Sequence, residues 1–260
     1  MPILKTKRIL IPLFSFLSLV FAWHIAIALF RPPKVLLPGP LDIIYRIQQF
    51  GPAWTQHCIY TIKTTLLGFL IAIIFGVGIS VFIIHSRFIS AAVTPLLVIL
   101  QVIPKIAFAP LLLIWFGSGD IPIIFIAFLV SFFPIVIDTT IGLTEIEPEL
   151  LDLTRCYHMS KPRVLAQIRF PNSLPFFFSG AKVASTLSVI GAIIGEFVGS
   201  NKGLGYLVII ANNNLDTSLA MGSIFFISIF GLALFGAIVI LERLCMPWKV
   251  ESGQGLVSLT

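Results

Sequence analysis

Six uninterrupted apolar runs decide what this chain can fold into. They cover residues 9–30, 59–84, 92–116, 120–144, 173–197 and 219–241. Each is long enough to cross a hydrocarbon core of about 30 Å as a helix rising about 1.5 Å per residue. Only 11% of the 260 residues are Asp, Glu, Lys or Arg, against about 25% in soluble domains. The runs are continuous rather than alternating, so the spans are helices and not barrel strands. Residues 1–260 therefore read as one all-α, multi-pass membrane domain with about six transmembrane helices.

The links between runs set the topology. Residues 31–58 hold Pro32, Pro33, Pro38, Pro40 and Pro52, with a short amphipathic stretch from Leu41 to Phe50. Gly117 and Gly119 mark a tight turn before Asp120, and 199–216 forms a further outer link. With the N-terminus inside, ten Lys and Arg fall on the inner side, Lys5, Arg87, Lys161 and Arg243 among them. Four fall outside: Arg31, Lys34, Arg46 and Lys202. That bias places both termini in the cytoplasm. The run 9–30 is too long for a signal-peptide core and reads as a retained first span.

Several chemistries are excluded. The net charge of +6 comes from cations at the ends of apolar runs, not from a basic and aromatic face, so no nucleic-acid partner is expected. Cys58, Cys156 and Cys245 are far apart and form no CxxC; the four histidines are scattered and no HExxH occurs. No metal and no cofactor are expected. There is no phosphate-cradling Gly-x4-Gly-Lys-Ser/Thr and no Gly-x-Ser-x-Gly. The chain reads as a non-enzyme that does not bind ATP itself, so energy for any transport comes from a partner or an ion gradient.

Within the runs, the third holds Pro95, Pro104 and Pro110. Each breaks the helical ladder and frees carbonyls that need protein or water partners, so this segment is expected to be kinked and packed inside the bundle beside a pathway. Ionisable residues in apolar spans cost about 2.5–3.5 kcal/mol on insertion scales and are functional candidates for that reason. Asp138, Lys182 and Glu196 are the substrate-pathway candidates; against this stand a snorkelling Lys182 and an interfacial Glu196. Gly191, Gly195 and Gly199 recur at four-residue spacing. Such a stripe suits close helix approach, either to a twin subunit or pore, or within the chain.

A polar island interrupts the apolar pattern between Glu145 and Pro175. It carries eight charged side chains: Glu145, Glu147, Glu149, Asp152, Arg155, Lys161, Arg163 and Arg169. Leu150, Leu151 and Leu153, and later Val164, Leu165 and Ile168, supply an apolar stripe among them. A surface mixing apolar area with both signs of charge is suited to docking a partner and fixing its register. The alternative is a solvated connection between spans.

Inside the island stand Asp152-Leu153-Thr154, His158 four residues after Thr154, and Ile168-Arg169-Phe170-Pro171. This pattern resembles the cytoplasmic loop of the permease subunits of binding-protein-dependent ABC importers, with its Glu-Ala-Ala triplet, a glycine four residues on, and a later Ile-x-Leu-Pro. Asp152 stands for the glutamate and His158 for the glycine. His tolerates the left-handed region better than most residues, so the turn survives the exchange. Pro104-Lys105-Ile106-Ala107-Phe108-Ala109-Pro110-Leu111 followed by Trp115-Phe116-Gly117-Ser118-Gly119 resembles the sulfonate, nitrate and taurine branch. Glu196-Phe197, Gly203-Leu204-Gly205-Tyr206-Leu207 and Leu241-Glu242-Arg243 continue the likeness.

The resemblance implies a type I importer permease in the bacterial inner membrane, paired with a second permease copy and surrounded by membrane lipid. Residues 145–172 become a coupling loop for a cytoplasmic ATP-binding subunit, and a periplasmic or lipid-anchored substrate-binding protein delivers the solute. The coupling residues it implies are Glu149, Asp152, Leu153, Thr154, Arg155, Tyr157, His158, Lys161, Ile168 and Pro171. The expected solute is a sulfonate, nitrate, taurine or a vitamin precursor such as a pyrimidine or riboflavin. Two rivals are an ion-coupled secondary transporter using Asp138 and Glu196 as carriers, and a non-transporting membrane subunit.

Overall fold

In the computed structural model, residues 14, 15, 18, 20–85 and 87–247 are described. The cationic approach to the first run, most of that run's first half, and the tail beyond Pro247 lie outside them. The described part of the first run is helix α1, Val20–Phe30. There follow α2 (Pro40–Phe50), α3 (Pro52–Ile84), α4 (Arg87–Val102), a 3-10 turn (Lys105–Phe108), α5 (Ala109–Phe116) and α6 (Asp120–Thr144). The polar island gives α7 (Pro148–Cys156) and α8 (Lys161–Val164), which runs through a π-turn (Leu165–Arg169) into α9 (Phe170–Gly199). Helices α10 (Leu204–Asn213) and α11 (Thr217–Cys245) close the chain.

Among the described residues four helical segments are long and apolar enough to span: α3, α6, the continuous 161–199 segment and α11. A fifth crossing is bent by 73° between Pro95–Val102 and Lys105–Phe116. The bend falls at Pro104, which adopts an extended conformation (ψ 90°). Lys105 turns back to donate to the Gln101 carbonyl at 2.8 Å and sits 4.4 Å from the centre of the Phe133 ring, so a carbonyl freed by the break has a donor. The kink is as the prolines require. The packing is not as expected: Leu96, Ile99, Val102, Ile114 and Trp115 are exposed on this chain, so the bent segment lies at the edge of the single-chain bundle rather than inside it.

The centre of the fold is the antiparallel pair α6 and α9. A Cβ built on Gly191 would lie 2.8 Å from Ala127 Cα, and one on Gly195 would lie 2.9 Å from Ile123 Cα. Gly180 packs in the same way on the Pro134 carbonyl and Gly142 on Ser173. Helix α3 docks against both α6 and α9, with Gly68 against Ala127 and Gly76 against Ile135 of α6 and Thr61 bonded to Glu196 of α9. Lipid tails are as apolar as leucine, so helices in a bilayer gain from close van der Waals contact rather than from burial. The glycine stripe is thus an intramolecular contact: Gly191 and Gly195 face α6, and Gly199 faces Leu113 of α5. Ser80 reinforces the α3–α6 seam by donating to Val136 O at 3.0 Å. Phe69, Ile135, Phe178 and Ile238 fill the junction of α3, α6, α9 and α11. By contrast only 11% of the apolar window of α11 is buried, against 50% for α6 and for 161–199.

At the end away from the island, α2 lies across the start of α11. Arg46 pairs with Asp216 at 2.5 Å, and Asp216 caps α11 by accepting from Leu219 N at 3.1 Å. Tyr60 and Lys63 of α3 both reach Asp120 at the start of α6, at 2.8 and 3.3 Å. Lys34 and the Gly39 amide hold the Asp42 carboxyl below its ordinary range. Two boundaries differ from the sequence reading. Helix α3 begins at Pro52, whose fixed φ suits a first helical position, so it starts seven residues before its apolar run. The span expected at 173–197 is continuous with helix from Lys161 onward.

The close α6–α9 contact gives a sharp test. Gly191→Ala should lower the thermal midpoint of the purified protein, with an overpacking cost of about 1–3 kcal/mol. The same change at Gly78, which has no atom within 4 Å of a built Cβ, should leave stability unchanged or raise it by about 0.5–1 kcal/mol.

Candidate functional site: the polar loop and the buried carboxylate

The island folds as a short helix held at one end of the bundle. Pro148 occupies the first turn of α7, Glu149 stands near its positive N-terminal end and Arg155 near its negative C-terminal end. Leu150, Leu153 and Tyr157 recur at helical spacing on one face, and all three are exposed; Tyr157 retains 74% of its surface. An exposed apolar stripe on a polar loop is a candidate contact face for a protein or a membrane surface. Thr154 is buried instead, with its hydroxyl donated to Leu151 O at 2.7 Å. Asp152 and Arg155 pair at 2.7 Å, but both are largely exposed, and such pairs contribute little stability.

The helix ends in a Schellman turn. His158 has φ +47°; its amide donates to Arg155 O at 3.0 Å, and the Met159 amide donates to Thr154 O at 3.0 Å. His158 Nδ1 lies 3.2 Å from Cys156 O. The histidine therefore takes the left-handed position that the family pattern gives to glycine.

Three side-chain bonds tie this end of α9 to the end of α6. Arg169 Nη1 donates to Leu143 O at 2.6 Å, and Asn172 Nδ2 donates to Gly142 O at 2.9 Å and to Glu145 O at 2.8 Å. They satisfy carbonyls that the last turn of α6 leaves without partners. Of the later coupling candidates, Ile168 lies in the π-turn and is half-buried, while Pro171 is exposed two positions into α9. Proline at 171 donates no amide hydrogen and its ring crowds the carbonyl four residues back; the widened π-turn lies directly before it. Both residues belong to the span's own helix rather than to a loop.

The pathway candidates each have partners. Lys182 pairs with Glu242 of α11 at 2.7 Å, with both side chains mostly buried. Asp138 lies against Ser179 and Gly180 of α9. Glu196 is 1% exposed. It accepts from Thr61 Oγ1 at 2.8 Å and from Gly205 N at 2.7 Å, while Leu204 N donates to Thr61 Oγ1 at 2.8 Å. Gly203 N donates to His57 Nδ1 at 3.0 Å. The carboxylate thus joins α3, α9 and the amide end of α10. Gly203 has φ +104°, and its Cβ would overlap the Glu196 carboxyl at 2.2 Å, so only glycine fits there. Sequence reasoning missed Thr61, His57 and helix α10. Their one signal was Gly203-Leu204-Gly205 following a glutamate in an apolar run.

A helical bundle with four to five spans among the described residues, and a polar helix projecting between α6 and the 161–199 span, defines a polytopic membrane subunit. Known proteins agree. Residues 68–246 match the family described as the binding-protein-dependent transport system inner membrane component. A probable ABC transporter permease protein of Haemophilus influenzae is 34% identical, over 89% of this chain and 94% of its own. The formylaminopyrimidine transport permease protein ThiX of Halalkalibacterium halodurans is 31% identical over 94% and 98%. The riboflavin transport system permease protein RibX of Chloroflexus aurantiacus is 32% identical over 93% and 90%. The fold matches a solved structure of the MetNI methionine ABC transporter in an inward-facing conformation, with TM-score 0.63, 16% identity, and 75% of this chain and 97% of that one covered. The chain belongs to the binding-protein-dependent transport system inner membrane components, and it is a permease subunit of an ABC importer.

Two outcomes are expected from this geometry. His158→Gly should relieve about 1 kcal/mol of left-handed strain, and His158→Val should add strain; the readout is hydrogen-exchange protection of the Met159 amide. Glu196→Ala should cost about 1–3 kcal/mol for each buried donor left unpaired, read as a fall in thermal midpoint, with Glu196→Gln losing less.

Proposed function

We propose that the chain forms, with a second copy of itself, the pathway of an importer driven by a separate cytoplasmic ATP-binding subunit. Helix α7 is the coupling element, and residues Glu149 to Lys161 carry the docking. The observation behind this is the exposed stripe Leu150, Leu153 and Tyr157 on a helix whose two flanking segments, ending at Glu145 and at Arg169, are tied together where Arg169 and Asn172 bond the end of α6. A displacement of α7 is then passed to the central helix pair rather than lost in a flexible loop. The island end is cytoplasmic and both termini lie on that side, in keeping with the charge bias. The exposed apolar faces of α11 and of the bent segment face lipid and the second copy. A substrate-binding protein docks at the opposite end, where α2 and the 199–216 link lie. ATP-driven closure of the partner favours one state of the pathway only through its differential affinity for the two states.

Glu196 and Lys182 serve transport indirectly by fixing spans to one another, and Asp138 stands nearest to a pathway role. The solute we favour is a small heteroaromatic vitamin precursor. ThiX and RibX, named for a formylaminopyrimidine and riboflavin, are 31% and 32% identical over more than nine-tenths of this chain. The sulfonate and nitrate permeases SsuC of Bacillus subtilis and NrtB of Synechococcus elongatus are 24% and 23% identical.

The test is a complex reconstituted in liposomes with its ATPase and binding protein. Leu153→Glu with Tyr157→Asp should abolish solute-stimulated ATP hydrolysis and uptake while the protein still inserts and purifies. Full stimulation in that double variant would defeat the docking assignment. A thermal-shift screen of the cognate binding protein should show stabilisation by pyrimidine or flavin compounds and none by alkanesulfonates or nitrate.

A further inference from the structure

A cleft of about 870 Å³ opens at the island end of the bundle, between the last turn of α3 and the polar loop. Its volume falls in the range of about 300–1,000 Å³ typical of small-molecule sites. The lining divides in two. Val81 and Ile84 of α3, Leu151 of α7 and Leu165 of the π-turn are apolar; Arg155, Lys161 and Arg169 are cationic, with His85 on the α3 side. Among the described residues no carboxylate lines it. Asp152, which pairs with Arg155, is outside the lining, and Arg169 spends one nitrogen on Leu143 O. Lys161 has no ion-pair or hydrogen-bond partner among the described residues.

Three like charges around one cavity, of which only Arg155 has a carboxylate partner, leave a net positive potential that draws in an anion. The apolar half of the lining adds a second requirement, since it gains nothing from a small hydrated ion. A group carrying both a phosphate and hydrocarbon satisfies both halves. The cleft also lies where a span meets the interface, and basic pockets between spans on the cytoplasmic side suit anionic headgroups. We propose that this cleft binds a phosphate-bearing anion, either the headgroup of an anionic phospholipid of the inner leaflet or a soluble phosphate ester. The assignment rests on the orientation given under the proposed function. Leu153 and Tyr157 of the docking stripe are not part of the lining, whereas Arg155 and Lys161 of the docking segment are. An occupant would bridge α3 to the coupling loop and make the loop's position sensitive to membrane composition.

The experiment uses the full transporter complex in nanodiscs of phosphatidylcholine alone or with phosphatidylglycerol, and short-chain phosphatidylglycerol titrations in detergent. Wild type should retain phosphatidylglycerol after detergent exchange, counted by native mass spectrometry. Lys161→Gln and Arg155→Gln should each weaken the titration about fivefold, and about 25-fold together. Neither cation packs in the core, and size-exclusion profiles check the fold. Pyrophosphate supplied to phosphatidylcholine discs distinguishes the sources: a thermal shift in wild type, absent in the double variant and without lipid retention, assigns the site to a soluble ester. If wild type and double variant bind both probes equally, or bind neither, the site does not exist. The Leu153→Glu, Tyr157→Asp variant should titrate like wild type, so loss of docking and loss of this site are read separately.

Discussion

Close approach of backbones between α6 and α9 is the contact on which everything else rests. In a hydrocarbon solvent, apolar surface gains nothing by hiding from lipid, so helices stay together through dense van der Waals packing and satisfied polar groups. Gly142, Gly180, Gly191 and Gly195 bring the two helices together along nearly their whole length, and Gly68 and Gly76 add α3. The projecting loop leaves from the end of this three-helix centre. The less covered elements, α11 and the bent α4–α5 segment, are arranged around it.

Rigidity is concentrated at both ends of this core by different chemistry. At the island end the locks are side chains on backbone carbonyls, Arg169 and Asn172 on the last turn of α6. At the other end a fully buried carboxylate, Glu196, gathers a hydroxyl and a backbone amide. A buried charge with several donors is tolerable, whereas the same charge with one donor removed is not. The two ends therefore differ in what they permit. The carbonyl locks are partly exposed, whereas the Glu196 side chain is closed off from the surface.

Much of this was legible in the sequence because the bilayer imposes length and polarity so strictly. The apolar runs located the spans, Pro104 located the bend, and the island's position located the loop. His158 could be read as a left-handed residue because it stands where the resembled loop has a glycine, and its φ of +47° agrees. Less was legible where the answer depended on which helix lies next to which. The glycine stripe on α9 gave its spacing but not its neighbour, which proved to be α6 and not a second copy. Lys182 read as an isolated cation because Glu242 lies sixty residues away in the chain. Helix α10 was hidden by its brevity, since ten residues after a glycine turn, the last two asparagines, fit a link as well as a half-length helix. The start of the fifth span was hidden by charge: Lys161, Arg163 and Arg169 mark an interface, and the helix simply runs through it.

Helix α3 has 33 residues, about 50 Å of helix at about 1.5 Å per residue, in a bilayer whose apolar slab is about 30 Å thick. Such an excess is taken up by leaning away from the membrane normal or by standing proud of the surface. Because α3 is packed against α6 through Gly68 and Gly76, its slant is shared with the core. Slab thickness thereby becomes a mechanical variable of the whole bundle, and a thicker or thinner membrane would reset the resting angle of every helix attached to it.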